Sequence, residues 1–230
     1  MRTYALICTR TKQLSKTTQT LTSYLSRCGV EVKLIVNSKS IFSGYSRAFK
    51  QINPDPSDIF ILCHDDIEIL SQEGYFLPLL FRELSVPKTG FIGPAGTTEL
   101  NSRAVWWDQD QWAKGKHSGM VFHGEELTSN VNPTFYGAYR NVAILDGLFL
   151  AAKARVLMDV GLDKPDYLEG EWDFYDIHYT ATARKKGYNN RAVPVLILHN
   201  SSGELAGRDS WHKNRELFIL KFDRDFPITA

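Results

Sequence analysis

Apolar and polar segments alternate over the first hundred residues in a way that predicts a sheet flanked by helices. Short apolar runs rich in strand-forming residues are separated by longer segments whose leucines recur near helical spacing. The predicted strands are 3–9, 30–36, 58–64 and 90–96, and the predicted helices between them are 12–29, 43–52 and 73–84. This alternation is typical of an α/β domain with a mixed, mostly parallel sheet and helices on both faces.

The alternation stops at residue 97. Residues 97–140 are rich in Trp, Gly, Asn and Tyr and lack a helical period, so we expect hairpins and a loop there. Apolar periodicity then resumes. The predicted elements are a strand at 143–153, a short helix ending at Gly161, a helix at 171–188, a strand at 190–200 and a helix at 211–222. Nothing in the chain looks like a linker, which predicts a single domain over residues 1–230.

Composition narrows the function classes. Of the 230 residues, 43% are hydrophobic and 23% are charged, and the net charge of +1 shows no basic excess that would indicate a nucleic-acid partner. No apolar run approaches the roughly 18 residues of a transmembrane segment, and the N-terminal run is too short for a signal peptide. The three cysteines, Cys8, Cys28 and Cys63, are sparse and odd in number. We therefore expect reduced thiols in a cytoplasmic protein.

Polar side chains follow several predicted strands at their carboxyl ends. Ligands of open α/β sheets bind at that edge, so residues far apart in sequence are expected to gather there. The candidates are Thr9, Arg10, Thr11, His64, Asp65, Asp66, Asp146 and His199.

The segment IFILCHDDIEI (59–69) places three carboxylates at the end of a buried strand. Carboxylates so close together repel one another, and a divalent cation removes that repulsion. The metal motif is either His64-Asp65-Asp66 or Asp66-Ile67-Glu68, and Asp66 belongs to both. The alternative is an exposed acidic turn without a ligand.

Three blocks of the sequence resemble the family 2 type of nucleotide-sugar glycosyltransferases with the GT-A fold. They are GYSRAFKQINPDPSDIFILCHDDIEI (44–69), AILDGLFLAAKARVL (143–157) and WDFYDIHYTATARKKGYNNRAVPVLILHNSSGE (172–204). The segment GFIGPAG followed by Trp106 and Trp107 is also like a subset of that family. The resemblance spans most of residues 3–222 and implies a Rossmann-like domain. Its nucleotide-binding half would be about 1–96 and its acceptor-binding half about 97–230.

The resemblance also implies roles for particular residues. Counting back from Gly187-Tyr188, the family's catalytic base falls on Asp176, with Asp173 as the fallback base. Two positions depart from the family pattern, since Tyr175 and His178 stand where acidic residues are usual. Asp66, Asp65 and His199 would hold a divalent metal, Mn²⁺ or Mg²⁺, and Thr9, Arg10, Thr11 and Asp65 would contact the nucleotide. Asp146, Gly147, Trp106 and Trp107 would contact the acceptor or the sugar.

The expected activity is inverting, metal-dependent transfer of a sugar from a UDP-, GDP- or dTDP-sugar to a hydroxyl of a glycan or lipid-linked acceptor. The altered residues Tyr175 and His178 leave open a non-catalytic module that binds a sugar nucleotide or a glycan. A nucleotidyltransferase is a third reading, disfavoured because CTRTKQLS (8–15) has no glycine for a phosphate loop. We expect a cytoplasmic protein, with peripheral membrane contact through residues 211–222 as a lesser alternative.

Overall fold

A seven-stranded mixed sheet forms the centre of the molecule. The structure, a computed structural model, describes residues 1–124, 131–201 and 208–230. The strands are β1 (Thr3–Cys8), β2 (Glu31–Ile35), β3 (Ile59–Cys63), β4 (Ile67–Ile69), β5 (Thr89–Gly93), β6 (Ala95–Thr97), β7 (Glu99–Leu100), β8 (His117–His123), β9 (Asn132–Gly137), β10 (Asn141–Val142), β11 (Ile144–Leu145), β12 (Phe149–Lys153), β13 (Asn189–Ala192), β14 (Ile197–His199) and β15 (Ile228–Thr229). The main sheet has the order β10-β13-β5-β12-β3-β1-β2.

Helices cover this sheet, as the sequence predicts. They are α1 (Lys16–Arg27), α2 (Ile41–Ile52), α3 (Glu73–Ser85), α4 (Gln109–Ala113), α5 (Ala154–Val160), α6 (Tyr175–Lys185) and α7 (Asp209–Phe222), with a 3-10 turn at Asp223–Asp225. The expected α/β architecture is therefore confirmed, and β1, β2 and β3 are parallel neighbours. The strand next to β3 on its other side is β12, which runs antiparallel.

A second sheet, which the sequence does not predict, brings the end of β14 close to the turn that follows β3. Its order is β11-β6-β8-β14-β4, with β9 paired to β8. Strand β4 begins directly after the turn that follows β3, and β14 pairs with it in an antiparallel register that sets His199 opposite Ile67. Strand β14 also runs parallel to β8, which sets His199 beside His123. Late residues of the chain thus lie against the turn at 64–66.

Three predicted strands are each divided between the two sheets. The run 90–96 forms β5 in the main sheet and β6 in the second sheet, on either side of Pro94. The run 143–153 forms β11 in the second sheet and β12 in the main sheet, because the chain turns at Asp146, whose Oδ1 accepts from the backbone N–H of Leu148 at 3.2 Å. The run 190–200 forms β13 and β14, which are separated by a segment containing Pro194. Proline has no N–H to donate, which explains why an apolar run that reads as one strand does not continue.

The helix predicted at 171–188 begins later, at Tyr175. Phe174 has φ = 67°, a left-handed conformation that is incompatible with a continuing α-helix. Asp173 therefore lies in the loop before α6. The predicted helix 171–188 includes Asp173, and that part of the prediction is wrong.

The segment predicted as hairpins and a loop contains the β8–β9 hairpin and also the short helix α4. Asp108 starts that helix by accepting hydrogen bonds from the N–H groups of Asp110 and Gln111. Five residues are too few to show a helical period, which is why the pattern did not reveal it. Residues 125–130 of this segment, and residues 202–204 of the third resemblance block, lie outside the described residues.

Candidate active site

Three side chains from distant parts of the chain converge at the end of β3. His64 and Asp66 come from the turn between β3 and β4, and His199 is the last residue of β14. The Oδ1 atom of Asp66 lies 3.6 Å from Nδ1 of His64 and 3.5 Å from Nε2 of His199. One ligand atom from each of the three residues lies within 4.8 Å of the other two. We call these residues the strand-end cluster.

Polar atoms of the strand-end cluster are buried without hydrogen-bond partners. Oδ1 of Asp66 and Nε2 of His199 are both of this kind, and their separation of 3.5 Å is too long for a good hydrogen bond. Leaving such atoms unpaired is costly, so an unpaired acceptor and an unpaired imidazole nitrogen that face each other indicate space for a cation. A carboxylate oxygen and two imidazole nitrogens are suitable ligands for a divalent transition metal, and the residues therefore fit a metal centre.

The charges within the strand-end cluster lower the pKa of Asp66 and raise the pKa of His64. Burial opposes ionisation of Asp66, but the imidazoles of His199 and His64 outweigh it and hold the pKa of Asp66 well below its usual range. Burial alone would lower the pKa of His64, yet the neighbouring Asp66 carboxylate raises it above the ordinary value. The carboxylate thus attracts positive charge to this point of the molecule.

The two other acids of the sequence motif lie outside the strand-end cluster. Asp65 is next to Thr9, and burial raises its pKa, an effect that the hydroxyl of Thr9 partly offsets. Glu68 lies in β4, opposite Leu198. Of the two alternative motifs, the cluster uses His64 and Asp66, and Asp65 is positioned to face the Thr9 side of the site.

A second acidic group lies around Gly147. The backbone N–H of Gly147 donates to Oδ2 of Asp176 at 3.0 Å, and Asp146 immediately precedes that glycine. Burial and the nearby charge of Asp146 raise the pKa of Asp176 to about 7, although the N–H groups of Ile177 and Gly147 favour its ionised form. A carboxylate with a pKa near neutrality can both accept and release a proton at physiological pH.

The fallback base Asp173 forms hydrogen bonds with residues of α7. It is buried, its Oδ2 accepts from the hydroxyl of Ser210 at 2.7 Å, and its backbone oxygen accepts from Asn214 of α7 at 3.1 Å. His178, the other departure from the family pattern, contacts the hydroxyl of Tyr167 through Nδ1 at 2.8 Å. Burial lowers the pKa of His178 to about 4, so this histidine is neutral beneath α7.

The residues after β1 lie on the other side of Asp65. Thr9 is buried and its hydroxyl accepts from the N–H of Thr11 at 3.2 Å. The guanidinium of Arg10 lies 4.4 Å from the ring centroid of Trp172. Burial lowers the pKa of Arg10, and the acids Asp65 and Asp66 lie near enough to oppose that shift. The Arg10 guanidinium and the ring of Trp172 thus place a cation and an aromatic face close to the acidic turn.

The two tryptophans of the sequence motif have different environments. Trp106 is 3% exposed and packs against Trp107, His117 and Tyr136, so its ring is part of the core. Trp107 is 36% exposed and packs against Trp211 of α7. Only Trp107 of this pair has a ring face that a sugar could reach. We call Trp106, Trp112, His117 and Tyr136 the aromatic cluster.

Sequence reasoning missed three residues near the site. Tyr175 contacts Nε2 of His64 at 2.7 Å, although the sequence marked it only as a departure from the family pattern. His123 has its ring centroid 6.0 Å from that of His199, and the second sheet that aligns them was not predicted. Trp172 lies under Arg10, and only its place beside Asp173 gave any signal.

Comparisons with known proteins address the family and the fold of the chain. A family model described as a glycosyltransferase-like family matches residues 8–219. No curated protein sequence matches the chain at a significant level. Among solved structures, a GalNAc-T7 complex with UDP, GalNAc and Mn²⁺ superposes with a TM-score of 0.62 at 10% identity. That superposition covers 97% of this chain and 49% of the other, so the chain spans about half the length of that structure.

Two further solved structures are similar at lower scores. A197 from STIV has a TM-score of 0.43 at 10% identity, with 87% of this chain and 83% of the other covered. A glycosyltransferase involved in glycosylation of the major capsid of PBCV-1 has a TM-score of 0.39 at 11% identity, with 94% and 91% covered. Within residues 1–124, 131–201 and 208–230, no helix has both the length and the apolar character needed to cross a membrane.

Proposed function

Since this chain belongs to the glycosyltransferase-like family, we propose that it transfers a sugar, with inversion, from a nucleotide-diphosphate donor to an acceptor hydroxyl. The transfer depends on a divalent metal held by His64, Asp66 and His199. Asp176 acts as the base. The reaction belongs to glycan or surface polysaccharide assembly. Its acceptor is a glycan or a lipid-linked molecule.

The observation that carries the proposal is the pair of buried, unpartnered atoms in the strand-end cluster. Oδ1 of Asp66 and Nε2 of His199 face each other at 3.5 Å, with Nδ1 of His64 alongside. The bound cation supplies positive charge that stabilises the departing diphosphate, an effect of several kcal/mol. Two imidazoles favour Mn²⁺ over Mg²⁺, because magnesium prefers oxygen ligands and sheds water reluctantly. GalNAc-T7, of the same fold, was crystallised with Mn²⁺.

Asp176 is the residue best placed to receive the acceptor's proton. Its carboxylate is held by the Gly147 N–H at 3.0 Å and has a pKa of about 7 because of burial and the charge of Asp146. A base of this strength takes a proton from the attacking hydroxyl with little mismatch to the working pH. Asp146 binds a hydroxyl of the acceptor or of the donor sugar. Trp107 provides an aromatic face on which the sugar ring packs.

The nucleotide lies on the Thr9 side of the acidic turn. Thr9, Thr11 and Asp65 supply polar groups for the ribose and the base. The guanidinium of Arg10, stacked on Trp172, lies near Asp65 and Asp66, and it would contact the diphosphate that the metal binds. We propose accordingly that the nucleotide-binding half is about 1–96 and the acceptor-binding half about 97–230.

A thermal-shift screen of UDP, GDP, dTDP and CMP, each with and without Mn²⁺, tests the donor class. Stabilisation follows the ratio of ligand concentration to Kd, so the correct nucleotide raises Tm and does so more with the metal present. Donor hydrolysis measured beside the screen separates the enzyme from a non-catalytic binding module. Binding without turnover over a panel of donors and acceptors supports the module, and no metal-dependent shift with any nucleotide contradicts the proposal.

A further inference from the structure

Tyr175 stands immediately before the proposed base, where the family resemblance leads one to expect an acid. We propose that Tyr175 is a positioning residue that keeps Nε2 of His64 protonated, so that Nδ1 is the nitrogen offered to the metal. Its hydroxyl also fixes Gly147, the residue whose N–H holds Asp176. The inference rests on the metal-binding role proposed for His64.

The direction of each hydrogen bond follows from the chemistry of the groups. The Tyr175 hydroxyl lies 2.7 Å from the carbonyl oxygen of Gly147 and 2.7 Å from Nε2 of His64. A carbonyl oxygen can only accept, so the single hydroxyl proton points to Gly147. The hydroxyl oxygen is then the acceptor for His64, and Nε2 carries the proton. Nδ1 is left facing Oδ1 of Asp66 at 3.6 Å.

The hydroxyl also connects the strand-end cluster with the proposed base. The carbonyl of Gly147 accepts from Tyr175, and the N–H of the same residue donates to Asp176. A Cβ at position 147 would overlap the Tyr175 hydroxyl and lie 2.8 Å from Cβ of Asp176. Glycine is thus required for both residues to approach this backbone. Gly147 therefore links the two groups: its carbonyl accepts from Tyr175, which contacts His64, and its N–H donates to the proposed base Asp176.

A phenol suits this position better than a carboxylate. The Tyr175 side chain is buried, with Phe42, Tyr45 and Tyr179 packed edge-on against it. Burial raises the pKa of Tyr175 well above its ordinary value, so the hydroxyl stays neutral. An acid here would add a negative charge close to Asp176 and would lack the proton that Gly147 accepts.

The test compares Tyr175→Phe with Tyr179→Phe. Both variants remove one hydroxyl from a buried tyrosine of α6, and the Tyr179 hydroxyl donates to the backbone oxygen of Leu162 at 2.8 Å, away from the strand-end cluster. Calorimetric titration with Mn²⁺ should show a 10- to 100-fold weaker affinity in Tyr175→Phe. The affinity of Tyr179→Phe should stay within about twofold of the wild type, since the hydroxyl it loses is remote from the metal.

A second measurement does not need the metal. In the imidazole ¹H–¹⁵N spectrum of the metal-free protein, we expect an exchange-protected Nε2–H proton of His64, assigned by its loss in His64→Gln. The proton should persist in Tyr179→Phe and exchange freely in Tyr175→Phe. Loss of the signal together with weaker Mn²⁺ binding supports the inference.

Two results separate the inference from the proposed function. A His64 Nε2–H that stays protected in Tyr175→Phe, or a Tyr175→Phe protein that binds Mn²⁺ as the wild type does, overturns the positioning role. Absence of Mn²⁺ binding to the wild type, with the Nε2–H signal still dependent on Tyr175, rejects the metal centre and leaves the orientation of His64 by Tyr175 supported.

Discussion

The strand-end cluster and the aromatic cluster both place histidines against other rings, yet their electrostatics differ. In the strand-end cluster, His64 lies 3.6 Å from the Asp66 carboxylate, which raises its pKa. In the aromatic cluster, His117 is fully buried, its Nε2 contacts the backbone oxygen of Trp106 at 2.5 Å, and burial lowers its pKa. A carboxylate in contact with an imidazole therefore distinguishes a histidine suited to a cation from one that belongs to the core.

The largest expected effect is that of Asp66→Ala. Removal of the carboxylate leaves two imidazoles without the charge that attracts a cation, so Mn²⁺ binding should be lost and transfer should fall about 1,000-fold or more. Calorimetry with Mn²⁺ and an assay of donor turnover measure the two effects. Glu68→Gln is the matched control, because it removes a nearby carboxylate outside the strand-end cluster.

The control also decides between the two alternative metal motifs. Equal losses in Asp66→Ala and Glu68→Gln would favour Asp66-Ile67-Glu68 and contradict the use of His64. Normal turnover in a folded Asp66→Ala protein would remove the metal role altogether. In that case the contrast with the aromatic cluster would have no functional meaning.

The next effect concerns the base. Asp176→Asn should lower kcat by about 10²- to 10⁴-fold, the usual contribution of general-base catalysis, while the Kd of the donor stays unchanged. Asp173→Asn is the control, since its carboxylate already accepts from Ser210 at 2.7 Å. Donor binding by calorimetry and turnover by product release separate the two roles. A larger loss in Asp173→Asn than in Asp176→Asn would move the base to Asp173.

The pH dependence of stability provides a smaller effect at the same residue. The pKa of Asp176 rises from 3.8 to about 7 in the folded state because of burial and the charge of Asp146. The folded state therefore binds this proton more tightly, and wild-type stability decreases as pH rises from about 4 to about 7. Asp176→Asn escapes that loss and should be more stable by about 2 kcal/mol above pH 7, within the ceiling of about 4 kcal/mol that such a shift allows.

Urea unfolding of both proteins in EDTA, at intervals from pH 4 to pH 8, measures the difference. The advantage of Asp176→Asn should be absent at the acid end, grow through the interval and level off near pH 7. A constant difference over the whole range would show that Asp176 titrates normally and that burial does not raise its pKa.

Most elements of residues 1–96 were predictable because they are continuous segments with one period; the exceptions are β4 and the run 90–96, which β5 and β6 share. Strands β1, β2 and β3 and helices α1, α2 and α3 lie where the apolar pattern places them. Beyond residue 97, the runs 143–153 and 190–200 are each shared by two sheets, and local periodicity contains no signal for the sheet that a strand joins. The left-handed Phe174 likewise leaves no trace in the polar pattern.

The positions of the candidate acids were more predictable than the contacts that their side chains make. Asp66 and His199 follow from the rule that strand ends gather polar groups, and Asp176 follows from the family resemblance. The hydrogen bond of His64 involves the side chain of Tyr175, and that of Asp173 involves Ser210 of α7. Both are contacts over long sequence separations that only the folded chain displays.

The smallest expected effect comes from His117→Phe in the aromatic cluster. The change keeps an aromatic ring of similar volume but leaves the backbone oxygen of Trp106 without the contact that it makes with Nε2 at 2.5 Å. The loss of one buried hydrogen bond costs about 1 kcal/mol, which for a chain of this size lowers Tm by about 2–4 °C. Mn²⁺ affinity and donor turnover should not change, because no metal ligand is touched. If His117→Phe weakened Mn²⁺ binding to the extent expected for Asp66→Ala, the two clusters would be functionally linked, and a neighbouring carboxylate would no longer be what separates a metal-binding histidine from a structural one.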